Sequence, residues 1–249
     1  MSPEEFLVAY GPPHEAQWVG EDELENSARR LPETLVDFWR QHGVGSYAAG
    51  NYWLCTPALF DPVLNVVLEN VPDLKGKLAA FGYRGTGQVD LWHRDNGWFV
   101  LLLPFAWVID ETSRNQTAPV PYDLADLYQA AGVPMPDNAA EQFLAGRNEP
   151  ENIWSVLFSA ASTNSYKNDI GDDGKELPSS LKMLYGDLKP GEFYCREPEQ
   201  LENVARSYKK MPVRDVIRLL PNKVAIERMI EAKGIQQSTT TIFPIGNDG

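Results

Sequence analysis

Leu31 to Trp53 reads LPETLVDFWRQHGVGSYAAGNYW. Pro32 suits the first turn of a helix, where a missing N–H costs nothing. Leu35, Phe38, Trp39 and His42 then recur at helical spacing, with Glu33, Asp37, Arg40 and Gln41 on the opposite face. Gly43 and Gly45 stop the helix, because glycine takes a left-handed C-cap without strain. Tyr47, Tyr52 and Trp53 follow at once. The pattern predicts a short helix bearing two large rings, turned back sharply into an aromatic extended segment. It is a packing nucleus and carries no catalytic constellation.

Upstream, Glu4 to Tyr10 predicts an opening helix ended by Gly11-Pro12-Pro13. Glu21, Asp22, Glu23 and Glu25 form an acidic patch at the start of a further short helix, where acids complement the dipole. Downstream, Thr56-Pro57 marks another helix start. From Lys77 the period changes to alternation: LAAFGY, QVDLWH and WFVLLL are strand candidates, and Phe105 to Ile109 is a fourth. Asp95-Asn96-Gly97 is a hairpin turn signal, since Asn-Gly tolerates positive φ.

Residues 1–112 are therefore expected to form an α+β unit, with N-terminal helices packed on an antiparallel β-meander. TSRNQTAPVP, from Thr112 to Pro121, is the candidate linker, which is set at 113–121. Residues 122–249 are expected to form a mainly helical C-terminal domain. Its helices are expected at 123–131, 139–145, 150–161, 179–185, 198–208, 213–220 and 223–232, with 192–196 extended. The polar stretch 163–176 is too long for a simple connection, which marks it as functional or mobile.

The 249 residues carry a net charge of −13, with 43% hydrophobic and 23% charged side chains. Such a surface disfavours phosphate backbones and anionic membranes, and attracts a basic protein. No apolar run approaches the roughly 20 residues needed to cross a bilayer. MSPEEFLVAY places acids where an export signal has bases. The expected location is the cytoplasm, with Cys55 and Cys195 as reduced thiols.

The imidazole supply is His14, His42 and His93. His42 sits at the C-terminus of the aromatic helix, where a cation is welcome. His93, with Asp90 and Asp95 nearby, is the only hint of a metal or hydrolase pocket, and turn chemistry already explains Asp95. NDIGDDG from Asn168 to Gly174 fails as a calcium loop, because Gly171 and Ser180 fall on ligand positions. Gly82, Gly85 and Gly87 give a hairpin connection, with no helix after them to present amides to a phosphate. No G-x-S-x-G, H-E-x-x-H or paired-cysteine pattern occurs. Neither an enzyme nor a cofactor is expected.

LP-x-x-L-x-x-FW-x-x-x-G from Leu31 to Gly43, YAAGNYWLCTPALF from Tyr47 to Phe60, Phe81-Gly82 with Leu91-Trp92, and the opening F-x-x-x-YGPP together resemble the GAD-like domain. YGDLKPGEFY from Tyr185 to Tyr194 resembles the C-terminal domain that often follows it, found in immunity proteins of type VI secretion systems. Cys195-Arg196-Glu197-Pro198 departs from the Gly-Gly expected after the tyrosine. The resemblance implies a cytoplasmic antidote that binds one cognate DNA-degrading effector in a 1:1 complex. The acidic sets Glu21, Asp22, Glu23, Glu25 and Asp169, Asp172, Asp173, Glu176 are the candidate toxin-binding residues, with exposed aromatics as anchors. A small hydrolase and a scaffold module without a toxin partner are the alternatives.

Overall fold

The computed structural model describes residues 2–111, 153–161, 177–196, 205–232 and 235–245. Helix α1 (Pro3–Tyr10) opens on a capping box: the Ser2 amide donates to Glu5 Oε2 at 2.8 Å, and the Glu5 amide donates to Ser2 Oγ at 3.3 Å. Strand β1 (His14–Gln17) leads to α2 (Glu21–Ala28) and α3 (Glu33–His42). The α3 face that buries Leu35, Val36, Phe38 and Trp39 is the one its apolar spacing predicts.

Gly43 closes α3 at φ 73°, and its amide returns to the Trp39 carbonyl at 2.7 Å. A Cβ there would stand 2.7 Å from the Gln17 carbonyl oxygen. Two constraints therefore demand glycine, the left-handed backbone and the close approach of β1. Gly43→Ala should cost about 2 kcal/mol or more, read as a lower urea midpoint at unchanged slope. A loss under about 0.5 kcal/mol would mean that β1 simply moves aside.

Strands β2 (Val44–Tyr47) and β3 (Tyr52–Leu54) lead to α4 (Asp61–Val67). The four meander strands follow: β4 (Leu78–Arg84), β5 (Gln88–His93), β6 (Gly97–Leu102) and β7 (Trp107–Asp110). Gly97 takes φ 83° at the Asp95-Asn96-Gly97 turn, where His93 pairs with Gly97. Beyond them lie α5 (Ile153–Ala161), α6 (Leu177–Tyr185), β8 (Glu192–Arg196), β9 (Tyr208–Pro212), β10 (Lys223–Ala232) and β11 (Ile235–Pro244).

The expected fold class is overturned here. The meander is the middle of a nine-stranded mixed sheet ordered β1-β2-β3-β4-β5-β6-β7-β10-β11. The described residues of the C-terminal part are not mainly helical. Residues 223–232 form β10, which runs parallel to β7 through Ala225↔Trp107, Ile226↔Val108 and Glu227↔Ile109. Residues 208–212 form β9, paired with β8, and 213–219 form a 3₁₀ segment. The physical reason is that β7 would otherwise present an unpaired edge, and β10 covers it.

Both faces of the central strands are buried. On one, Phe6, Leu24, Phe38, Trp39 and Trp154 from α1, α2, α3 and α5 pack over Tyr52, Leu54, Phe81 and Trp92. On the other, α4, α6 and β8 bring Val63, Val67, Leu181 and Phe193 against Tyr83, Leu91, Phe99 and Leu101. Arg30 grips Asp61 at 2.7 and 2.8 Å and the Leu78 carbonyl at 2.8 Å, fixing the α2–α3 connection to the start of α4. The expected linker at 113–121, the helices at 123–131 and 139–145, and the 163–176 stretch lie outside the described residues.

Candidate functional site

An exposed indole precedes the acidic helix. Trp18 follows β1 directly and is 73% exposed. Helix α2 starts next, its first-turn acids complementing the dipole while Leu24 and Ser27 anchor its inner side. Glu21, Asp22 and Glu25 are exposed and Glu23 is half-buried. Positions 21, 22 and 25 share one side of the helix. Glu21 reaches Arg40 of α3 at 3.8 Å, an exposed pair worth little by itself. The first acidic set is thus assembled beside an aromatic ring, whereas Asp169, Asp172, Asp173 and Glu176 lie outside the described residues. Sequence reasoning missed Trp18, although an apolar ring with no periodic partner in AQWVG was its available signal.

A second feature joins the two halves of the chain. Gly85 sits in the β4–β5 turn, and its carbonyl accepts the Tyr194 amide at 2.6 Å. The Tyr83 hydroxyl accepts the Gly191 amide at 2.9 Å. Along this seam lies a cavity of about 440 Å³, lined by Ser46, Asn51, Trp53, Arg84, Lys182 and Tyr194 among others. A neighbouring cleft of about 390 Å³ shares Glu15 and Trp53 with it. The cavity's polar groups are largely turned onto the protein. The Trp53 indole donates to the Gly50 carbonyl at 3.2 Å, Lys182 meets Asp187 at 2.6 Å, and Ser46 donates to the His14 carbonyl at 3.4 Å. Burial, with Asp187 and Glu192 adding to it, pushes the Tyr194 phenol up to about 12.

The residues that hinted at a hydrolase do not converge. Asp90 is fully buried on β5, and its Oδ1 accepts the Trp98 indole at 3.1 Å and the Gln88 amide at 3.4 Å. Burial raises its carboxyl above the ordinary range, opposed by the nearby Arg84 charge and by those donors. The Tyr52 hydroxyl stands over Gly82, where a Cβ would collide with it. His93 projects from the opposite face of β5 against Phe99. Its Nδ1 accepts the Asp95 and Asn96 amides at 3.2 and 3.1 Å, so it organises the hairpin. His42 packs on Phe38 at the end of α3. Among the described residues no cluster of three or more His, Cys, Asp or Glu side chains could hold a metal ion. Among them, no helix is long and apolar enough to cross a membrane.

The helix–glycine–strand unit, the β3–β6 core and the glycine-rich β4–β5 turn make up the part of the chain that is shared with a known family. Residues 2–103 match the GAD-like domain. The match ends just after β6, so the Trp18–α2 surface falls inside the GAD-like domain and the 177–196 wall of the seam cavity falls beyond it. The chain is also similar to the crystal structure of Atu4351 from Agrobacterium tumefaciens. The identity is 15% and the TM-score 0.64, over 94% of this chain and 96% of that one, and at this identity the likeness is one of fold. A search of curated proteins found no match.

Proposed function

We propose that the protein is an immunity protein that acts in the cytoplasm. It binds a cognate antibacterial effector of a type VI secretion system, a DNA-degrading toxin, and neutralises it by protein–protein contact. The observation that carries the reading is the 73% exposed Trp18 beside the exposed acids of α2 in a chain of net charge −13. A nuclease presents a basic surface to DNA, and an acidic antidote is steered to it. Rim charges set the encounter rate, whereas a buried aromatic ring supplies most of the binding energy. Trp18 and α2 combine the two, with the indole as anchor and Glu21, Asp22 and Glu25 as the charged rim. The GAD-like match at 2–103 and the resemblance of YGDLKPGEFY to the domain found in immunity proteins support the same reading.

The test is co-expression with the nuclease toxins encoded beside the gene. The chain should form a 1:1 complex with one of them and abolish its toxicity. Trp18→Ala should weaken that complex by roughly thirtyfold or more. Neutralising Glu21, Asp22 and Glu25 together should slow association by about tenfold at low salt, with little effect at high salt. If no neighbouring toxin is bound, the immunity reading fails. If the toxin is bound equally well by Trp18→Ala, the function stands and this surface is wrong.

A further inference from the structure

The two edges of the nine-stranded sheet are built differently. At one end β1 has four residues, includes charged Glu15 at φ 53°, and shifts register against β2 between His14 and Gln17. Short, charged and irregular, it is a blunted edge of the kind that resists further pairing. At the other end β11 has ten residues, IQQSTTTIFP, with no Asp, Glu, Lys, Arg or His. It pairs with β10 without a register shift from Lys223↔Pro244 to Ala232↔Ile235, and its one proline stands at its last position. Among the described residues, none of the usual protections is present.

The hairpin is held at its base and open outside. Asn70 donates to the Pro244 carbonyl at 3.0 Å, and Arg228 pairs with Asp73. Strand β10 meets β7 only through Ala225–Glu227. Gln237 and Thr241 on one face of β11, and Ser238, Thr240 and Ile242 on the other, are all exposed, Ile242 by 63%. A two-stranded ribbon open on both faces is marginal in water, and a third strand stabilises it.

We propose that β11 is a self-association edge, and that two copies of this chain pair antiparallel through it. A two-fold pair brings a strand against its own copy, so charges near the centre of a strand would stand close to like charges. Because β11 carries none, it meets its own copy without that cost, placing Thr and Ser hydroxyls and β-branched side chains across the seam. A basic partner would gain nothing from an edge without acids, which keeps this surface distinct from Trp18 and α2. Assembly ends at two copies, because β1 offers no second open edge.

The test is mass measurement by light scattering on the full chain over roughly a hundredfold range of concentration. The mass should rise from 27.9 kDa to twice that value and stop. Thr240→Glu and Thr241→Glu, one on each face of β11, should each weaken dimerisation at least about tenfold. Gln17→Glu on β1 should leave it unchanged. A monomer at every concentration, growth beyond two copies, or a dimer insensitive to both β11 variants overturns the proposal.

Discussion

Trp39→Ala is expected to lower stability by about 3–5 kcal/mol, the range for removing a large buried ring. Trp39 is fully buried, and its carbonyl accepts the Gly43 amide that closes α3. It lies in the same core as Phe6, Leu35, Phe38, Tyr47 and Trp154, which come from α1, α3, β2 and α5. The cavity left by alanine would border several elements, none free to close it alone. Since whole domains are stable by only about 5–15 kcal/mol, the variant should sit near the edge of folding at 37 °C. Trp39→Phe should be much milder, at about 1–2 kcal/mol, because the ring volume is mostly kept. It also removes a buried indole N–H that has no hydrogen-bond partner among the described residues. Guanidinium unfolding of the three proteins checks this. Equal losses for Ala and Phe would show that the indole nitrogen matters and the volume does not.

Trp39 also shows which parts of the fold were legible in the sequence. Its helix, its buried face and the glycine that ends it follow from local spacing and backbone chemistry, which are properties of a few adjacent residues. The Asn96-Gly97 hairpin was legible for the same reason. KVAIERMIEA was not. Ala, Glu, Arg, Met and Lys are good helix formers, and Ile226, Met229 and Ile230 fit a helical face as readily as Val224, Ile226 and Ile230 fit an alternating one. What decides for strand is partnership with β11 and with β7, the latter more than a hundred positions away, and no local pattern encodes it. The candidate site divides the same way. The α2 acids are visible as a run of letters, but the exposure of Trp18 is a property of the finished surface. The seam cavity draws on β2, β3, the β4–β5 turn and the 182–194 region, which only the tertiary fold brings together.

Asp90→Ala is the second large expected effect, at about 3–5 kcal/mol, and it works by the opposite logic. The substitution removes few contacts but strands charged and polar groups. The Trp98 indole and the Gln88 amide lose their acceptor, and the nearby Arg84 guanidinium loses a buried counter-charge. Asp90→Asn keeps an acceptor oxygen and the same shape, so its cost at neutral pH should be nearer 1 kcal/mol. The pH dependence separates the two roles of the carboxylate. Because burial raises the Asp90 pKa in the folded chain above the ordinary 3.8, the folded state takes up its proton before the unfolded state does. Stability linked to this group is therefore fully present below 3.8 and is lost as pH rises through the higher folded value. The native protein should accordingly gain on Asp90→Asn, which has no such proton, as pH is lowered through that window. Urea unfolding of both proteins across the acid range measures the difference directly. A gap that widens in favour of Asp90→Asn as pH falls would mean that Arg84 and the donors outweigh burial, with the folded carboxyl held below its ordinary value.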